Sequence, residues 1–163
     1  MITCAFTGHR EVYDSNIRTL IDHAIEDILK KDTSFTFYSG DMGEFDRMCS
    51  SAVRNAKRQY PGLDIKLIAV FPYMMTKINI YKAQYERLYD EIIIPTDLSE
   101  VHYKSAITAR NRWMVDRSDS LISYVYRDFG GAYATLKYAR RMGKEIINLA
   151  DIQRKKATQS SPP

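Results

Sequence analysis

The sequence predicts an α/β sandwich built on a mainly parallel sheet, and three observations carry that prediction. Short apolar runs alternate with amphipathic helical stretches along the chain. Gly8, Gly40, Pro72 and Pro95 close the first four apolar runs, as turn-forming residues do at strand ends. The 163 residues are enough for one domain with a sizeable core.

The elements follow in order. Ile2 to Thr7 reads as a first strand. Asp14 or Ser15 can cap the next helix, whose Ile17, Leu20, Ile21, Ala24, Ile25, Ile28 and Leu29 recur at steps of three and four. Phe35 to Ser39 is the second strand, followed by a polar loop from Gly40 to Asp46 and a helix to about Tyr60, ended by Pro61-Gly62. Ile65 to Phe71 is the third strand. A helix over Lys77 to Tyr89 carries Ile78, Tyr81, Tyr85 and Leu88 on one face. Glu91 to Ile94 is a short fourth strand, and a loop of mixed character covers Thr96 to Tyr103. Ser105 to about Arg117 reads as helix, Ser120 to Tyr126 as the fifth strand, Gly131 to Met142 as helix and Glu145 to Leu149 as the last strand, with Gly143 at a helix C-cap. Alternation of this kind means right-handed βαβ units, hence a Rossmann-like three-layer α/β/α sandwich with a mainly parallel sheet. The domain is expected over residues 1–150. Residues 151–163 are rich in Gln, Lys, Ser and Pro and are expected to form a disordered tail, most clearly from Arg154 to Pro163.

Composition narrows the function classes. No apolar run approaches the roughly 20 residues that span a bilayer. The apolar start, Met1 to Phe6, has no basic leader and no long apolar stretch after it, so no signal peptide is expected and the protein is expected in the cytoplasm. Cys4 and Cys49 read as small buried residues rather than a disulfide pair, although a catalytic thiol stays open. His9, His23 and His102 lack metal-ligand spacing, so neither metal nor cofactor is expected. The net charge of +4 suits an anionic ligand or a plainly solvated surface. No basic stripe with interleaved aromatics stands out, which argues against nucleic acid as the main partner.

In an open parallel sheet, ligands bind beyond the carboxyl ends of the strands, and several loops there carry chemistry. In Thr7-Gly8-His9-Arg10, Gly8 permits a close backbone approach, Thr7 offers a hydroxyl, Arg10 a planar donor fork, and His9 a group that titrates near neutrality. The same residues also make an ordinary tight turn. In the loop Ser39 to Asp46, Gly40 and Gly43 free backbone amides for an anion, and Glu44 and Asp46 stand where a sugar hydroxyl is held; Asp46 is equally an ordinary N-cap. Phe71-Pro72-Tyr73 suits base stacking, or closure of the core. On the following helix Arg110 shares a face with Met114, with Asn111 beside it. Trp113 reads as a core anchor, and Arg112, Asp116 and Arg117 as surface ion-pair formers. Gly130-Gly131 joins a strand to a helix and fits a second phosphate cradle.

Taken in order, Thr7-Gly8-His9-Arg10, then Ser39-Gly40, Gly43 and Asp46, then Arg110-Asn111 with Met114-Val115-Asp116 and Ser118-Asp119, then Gly130-Gly131, resemble the YpsA-like branch of the SLOG superfamily over nearly the whole chain to about Leu149. The resemblance implies a Rossmann-like fold related to the cytokinin-activating phosphoribohydrolases and to the DNA-processing protein DprA. It also implies binding of nucleotides or nucleotide-derived signals, in some members within bacterial or phage conflict systems. It places Gly8, Arg10, Ser39, Gly40, Gly43, Asp46, Arg110, Asn111, Gly130 and Gly131 in the pocket. One departure bears on catalysis. The phosphoribohydrolases carry Pro-Gly-Gly-x-Gly-Thr-x-x-Glu with a catalytic glutamate, whereas the matching stretch here runs from Phe129 to Lys137, lacks the proline and the later glycine, and ends without an acid. Cleavage of an N-glycosidic bond needs a carboxylate near the ribose.

The leading expectation is therefore a module, possessing sensor character, that binds a nucleotide or nucleotide-derived small molecule in a strand-end pocket formed by Thr7, Gly8, His9, Arg10, Ser39, Gly40, Gly43, Asp46, Arg110, Asn111, Gly130 and Gly131. One alternative is an N-glycosidase or deoxyribosyltransferase-like enzyme on nucleoside monophosphates, a hydrolase if it cleaves, with Glu44 or Asp46 as its carboxylate and Arg10 clamping phosphate. Another is a DprA-like nucleic-acid binder. The 12 tyrosines leave a homo-oligomeric interface open.

Overall fold

The computed structural model describes residues 1–159. Its elements are β1 (Ile2–Gly8), α1 (Ile17–Leu29), β2 (Ser34–Ser39), α2 (Glu44–Gln59), β3 (Asp64–Val70), α3 (Thr76–Ile80), α4 (Lys82–Leu88), β4 (Glu91–Ile93), 3-10 turns at Thr96–Leu98 and Tyr103–Ser105, α5 (Ala106–Asp116), β5 (Ser120–Tyr124), α6 (Gly131–Arg141), β6 (Glu145–Asn148) and α7 (Leu149–Gln159). The strands form one sheet in the order β4-β3-β2-β1-β5-β6. Every pairing is parallel. The α/β Rossmann-like architecture expected from the alternating pattern is thus the one observed. Among the described residues, no helix is long and apolar enough to cross a membrane.

Alternation along β1 divides the core into two layers. Cys4 and Phe6 face one side, where α1, α2 and α7 pack with Phe35, Phe37, Phe45, Ile21 and Leu149. Ala5 faces the other, where α5 and α6 contribute Met114, Val115, Leu136 and Ala139 over Val70 and Leu121. The stripe predicted on α1 is buried at all seven positions. Cys4 and Cys49 are buried free thiols. The chain runs outward from β1 to β4 and then returns to lay β5 against the other side of β1. Strand order therefore reverses between β1 and β5, and a crevice opens there beyond the carboxyl ends.

Four local differences from expectation have physical causes. Neither Asp14 nor Ser15 occupies the N-cap of α1. Asn16 does, and its N–H donates to Asp14 Oδ1 at 2.7 Å in a turn that leads into the helix. The single helix expected over 77–89 is divided at Tyr81, whose φ of −107° and ψ of 29° are not helical. Tyr81 is exposed as a result, while Tyr85 and Tyr89 beyond the break are buried and donate to Asp41 at 3.2 and 2.8 Å. Trp113 is only partly buried, set edge-on to Tyr38 and capped by Arg117 at 4.0 Å from its ring. Finally, the tail expected from residue 151 is helical as far as Gln159. Leu149 and Ala150 are buried in the α1 layer and anchor α7, and Arg154 donates to the Tyr126 carbonyl at 3.1 Å. Lys, Arg, Gln and Ala are good helix formers, so a polar composition alone did not mark disorder. Residues 160–163 of the expected tail lie outside the described residues.

Gly8 ends β1 against α2. A Cβ built there would stand 2.3 Å from Cδ1 and 2.5 Å from Cγ of Phe45, which is itself fully buried. Only a residue without a side chain permits that approach. Gly8→Ala is expected to cost about 1–3 kcal/mol of folding stability, the range for overpacking a core. Adding Phe45→Ala should then remove most of the coupling. Urea unfolding of the two single variants and the double variant measures it, and strictly additive losses would refute the packing account.

Candidate functional site

A cavity of about 520 Å³ occupies the crevice. Thr7 to Glu11 line it from the end of β1, Arg127 and Phe129 to Ala132 from the loop after β5, and Met42 and Asp46 from the loop and helix after β2. Ile107, Arg110, Asn111 and Met114 line it from α5. Those four stand at i, i+3, i+4 and i+7, one face of a helix.

Arg110 is the most unusual residue of the site. Its long cationic side chain is 2% exposed. Nη1 donates to the Gly40 carbonyl at 3.0 Å and the Val70 carbonyl at 2.7 Å, joining α5 to the carboxyl ends of β2 and β3. Nε donates to Asn111 Oδ1 at 2.8 Å. Nη2 has no partner stronger than Met42 Sδ at 3.8 Å. No carboxylate oxygen lies within 4 Å of it among the described residues. Burial lowers its pKa, opposed by the charges of Asp46 and Asp41, yet a guanidinium stays protonated at any working pH. The cavity wall therefore holds a buried cation without an ion-pair partner.

Asp46 is 7% exposed, on the first turn of α2. Its Oδ2 accepts the Met42 N–H at 3.0 Å. Burial raises its pKa from 3.8 to about 6, against the pull of that amide and of the Arg110 charge. His9 is also buried. Its Nε2 accepts the Tyr126 N–H at 3.3 Å, and burial together with the Arg127 charge lowers its pKa, which favours the neutral ring. Arg10 is exposed, and its guanidinium makes no hydrogen bond or ion pair among the described residues. Arg127 lies 5.1 Å from the Tyr126 ring and 5.9 Å from that of Phe129.

The two glycine loops differ. In the first, the protein uses its own amides: Asp41 N–H donates to Ser39 Oγ, Met42 N–H to Asp46, and Glu44 N–H to the Arg10 carbonyl. In the second, Gly130 caps α6 at a φ of +91° with no side-chain cap, and a Cβ at Gly130 or Gly131 would meet nothing within 4 Å. The first amides of α6 are thus open to an approaching group.

Of the expected site residues, Thr7, Gly8, His9, Arg10, Asp46, Arg110, Asn111, Gly130 and Gly131 come together around the cavity. Four do not line it. Ser39 is buried beneath α2, bonded to Ser50 at 3.0 Å. Gly40 lies behind the Arg110 guanidinium, which a Cβ there would approach to 2.9 Å. Gly43 packs on the Arg10 backbone. Glu44 turns aside to accept the Val12 N–H at 2.9 Å. Arg127, Phe129 and Ile107 line the cavity without having been singled out. The first two flank the Gly-Gly pair, and Ile107 stands three residues before Arg110, so their positions carried the signal. Phe71 is a core residue, and Arg117 pairs with Asp97 at 3.4 Å on the surface.

No protein-family model matches this chain, and no curated protein matches it. Among solved structures, it is similar to the DNA processing protein A (DprA) of Streptococcus pneumoniae, with a TM-score of 0.62 and 18% identity over 89% of this chain and 49% of that one. It is also similar to the DNA processing protein A of Helicobacter pylori, a protein with a unique single-stranded DNA binding mode. That TM-score is 0.60, with 18% identity over 89% of this chain and 63% of that one. The chain thus spans less than two thirds of either protein. These likenesses establish a shared fold.

The raised pKa of Asp46 makes stability depend on pH. Its contribution is full below the ordinary carboxyl value of 3.8 and is lost as pH rises through about 6, because the ionised form is penalised in the fold. Asp46→Asn removes that loss. The variant should gain on the parent protein between pH 4.5 and 8, by at most about 3 kcal/mol. Urea unfolding at several pH values measures it, and a difference that does not change with pH would contradict the burial account.

Proposed function

We propose that this protein binds a nucleotide or nucleotide-derived small molecule in the crevice between β1 and β5. One observation carries the reading: the buried guanidinium of Arg110, which lines the cavity and has no carboxylate within 4 Å. A buried charge without an ion-pair partner is costly, and a bound anion offsets that cost. The uncapped start of α6 and the unengaged Arg10 add further donors for phosphate. Phe129 stands 64% exposed at the mouth and offers a face for a base. Asp46 contributes the buried carboxyl of the cavity. In this reading Gly40, Gly43 and Ser39 act behind the wall, shaping the loop that Arg110 holds.

The nucleic-acid reading is favoured by the likeness to two DNA-processing proteins and by exposed Tyr13 and Phe129 near Arg10 and Arg127. It predicts single-strand affinity that falls steeply with salt. The N-glycosidase reading now rests on Asp46, since Glu44 points elsewhere, and it predicts release of free base from nucleoside monophosphates.

Calorimetry with adenosine and guanosine monophosphates, their nucleosides and a short oligonucleotide separates these readings. One-to-one binding of the monophosphates and none of the nucleosides is expected. Gly131→Asp should weaken the monophosphates at least tenfold with the melting temperature unchanged or raised, because an acid at a helix start suits the helix and repels phosphate. Phe129→Ala should weaken nucleotides and leave inorganic sulfate unaffected. If neither mononucleotides nor other nucleotide-derived anions bind, the proposal fails.

A further inference from the structure

We infer that the cavity takes up a proton together with its anion: a tetrahedral oxyanion occupies the free side of the Arg110 guanidinium only when the neighbouring Asp46 carboxyl is in its acid form. The inference rests on the anion-binding reading of this cavity and goes beyond it, since it states what the site must bind besides the anion.

The geometry supplies the argument. Arg110 and Asp46 line one cavity, and both are buried. They are not an ion pair at 4 Å among the described residues. The guanidinium is fixed by the Gly40 and Val70 carbonyls and by Asn111, so it cannot turn toward Asp46 without releasing three hydrogen bonds. What remains is Nη2. Asp46 is fixed on its Oδ2 side by the Met42 amide, and Oδ1 makes no hydrogen bond among the described residues. An oxyanion on Nη2 therefore shares one cavity with the Asp46 carboxyl. With Asp46 ionised, two negative groups would compete for one buried cation. With Asp46 protonated, the O–H becomes a donor to the anion and the repulsion is gone. Burial already favours the acid form, and an anion favours it further.

The charged and titratable groups facing Asp46 come from several elements. Arg110 faces it from α5, Asp41 from the preceding loop, and Arg47 and Cys49 from its own helix. Around the cavity stand His9, Arg10 and Glu11 after β1 and Arg127 after β5. His9 is the other group able to take a proton near neutrality. It is held neutral by burial and by Arg127, and its Nε2 already accepts the Tyr126 amide.

The test uses inorganic sulfate, a dianion at every pH concerned, because a phosphate monoester itself titrates near pH 6. Calorimetry of the whole chain in two buffers of different ionisation heat counts protons. Close to one proton should be taken up per sulfate at pH 7, and affinity should fall roughly fifty-fold from pH 6 to 8, as for a ligand that binds only the acid form of a group titrating at about 6. Asp46→Asn, which presents a neutral donor at all pH values, should bind sulfate with no uptake and with at least tenfold higher affinity than the parent protein at pH 8. Carbon NMR of the Asp46 carboxyl gives a second readout in the unmodified protein: sulfate should move its titration midpoint upward. Uptake that persists in Asp46→Asn would assign the proton to His9 and overturn the inference. So would pH-independent sulfate binding or an unmoved midpoint, while nucleotide binding in that same protein would leave the site reading standing. Absence of both sulfate and nucleotide binding at pH 6 would overturn the two together.

Discussion

The hydrogen bonds from Arg110 to the Gly40 and Val70 carbonyls set the form of this site. Carbonyls at the ends of parallel strands have no further strand to pair with, and a buried one needs a donor. Here one guanidinium nitrogen serves two adjacent strands, carried by a helix that packs on one face of the sheet. The consequence reaches in three directions. The loop after β2 is drawn under α5, with Gly40 too close to the guanidinium to bear a side chain. Met42 and Asp46 are brought to the cavity wall. A positive charge is also held permanently in a buried position beside the cavity.

Two loops of similar composition behave differently at this site. Both contain two glycines before a helix, and either is a reasonable phosphate cradle on composition. The loop between Ser39 and Asp46 closes on itself because a helix-start carboxylate, Asp46, takes the Met42 amide and the Arg10 carbonyl takes the Glu44 amide. The loop before α6 has no acid in the first turn and no side-chain cap. Amides that the protein does not use, facing a cavity lined by Arg10, Arg110 and Arg127, favour the α6 end as the side for the proposed anion.

Much of the architecture was legible from local pattern. The apolar stripe of α1 and the alternation in β1 each name their buried face, and chain alternation dictates parallel pairing. The break at Tyr81 was not legible, because it answers to Asp41, a hydrogen-bond partner 40 or more residues away from Tyr85 and Tyr89. Nor was the helical end of the chain, where two buried residues, Leu149 and Ala150, anchor a segment whose remaining composition is polar. At the cavity, strand-end position identified loops that line it. It did not distinguish residues that face the cavity from residues that support it: Ser39, Gly40 and Gly43 stand behind the wall, and Gly8 is required by the ring of Phe45. That distinction depends on side-chain direction at loop ends, which no period in the sequence encodes.

The carboxylates bear on whether such a site holds its ligand or also cuts it. Glycosidic cleavage by the usual route uses two carboxyl groups about the scissile bond, one to protonate the leaving group and one to act as base or nucleophile. The cavity is lined by Asp46 and Glu11. Glu11 is engaged by the Tyr13 hydroxyl, and Glu44 by the Val12 amide outside the cavity. On α6, the position where the phosphoribohydrolases carry their glutamate is Lys137, which lies over the Tyr133 ring at 5.4 Å. Among the described residues, Asp46 is therefore the one buried acid beside a fixed cation. A lone carboxyl whose proton is favoured by burial is well made to recognise an anion by charge and hydrogen bond together. It is poorly made to supply both halves of an acid–base pair, and that chemistry favours the proposed binding role over cleavage.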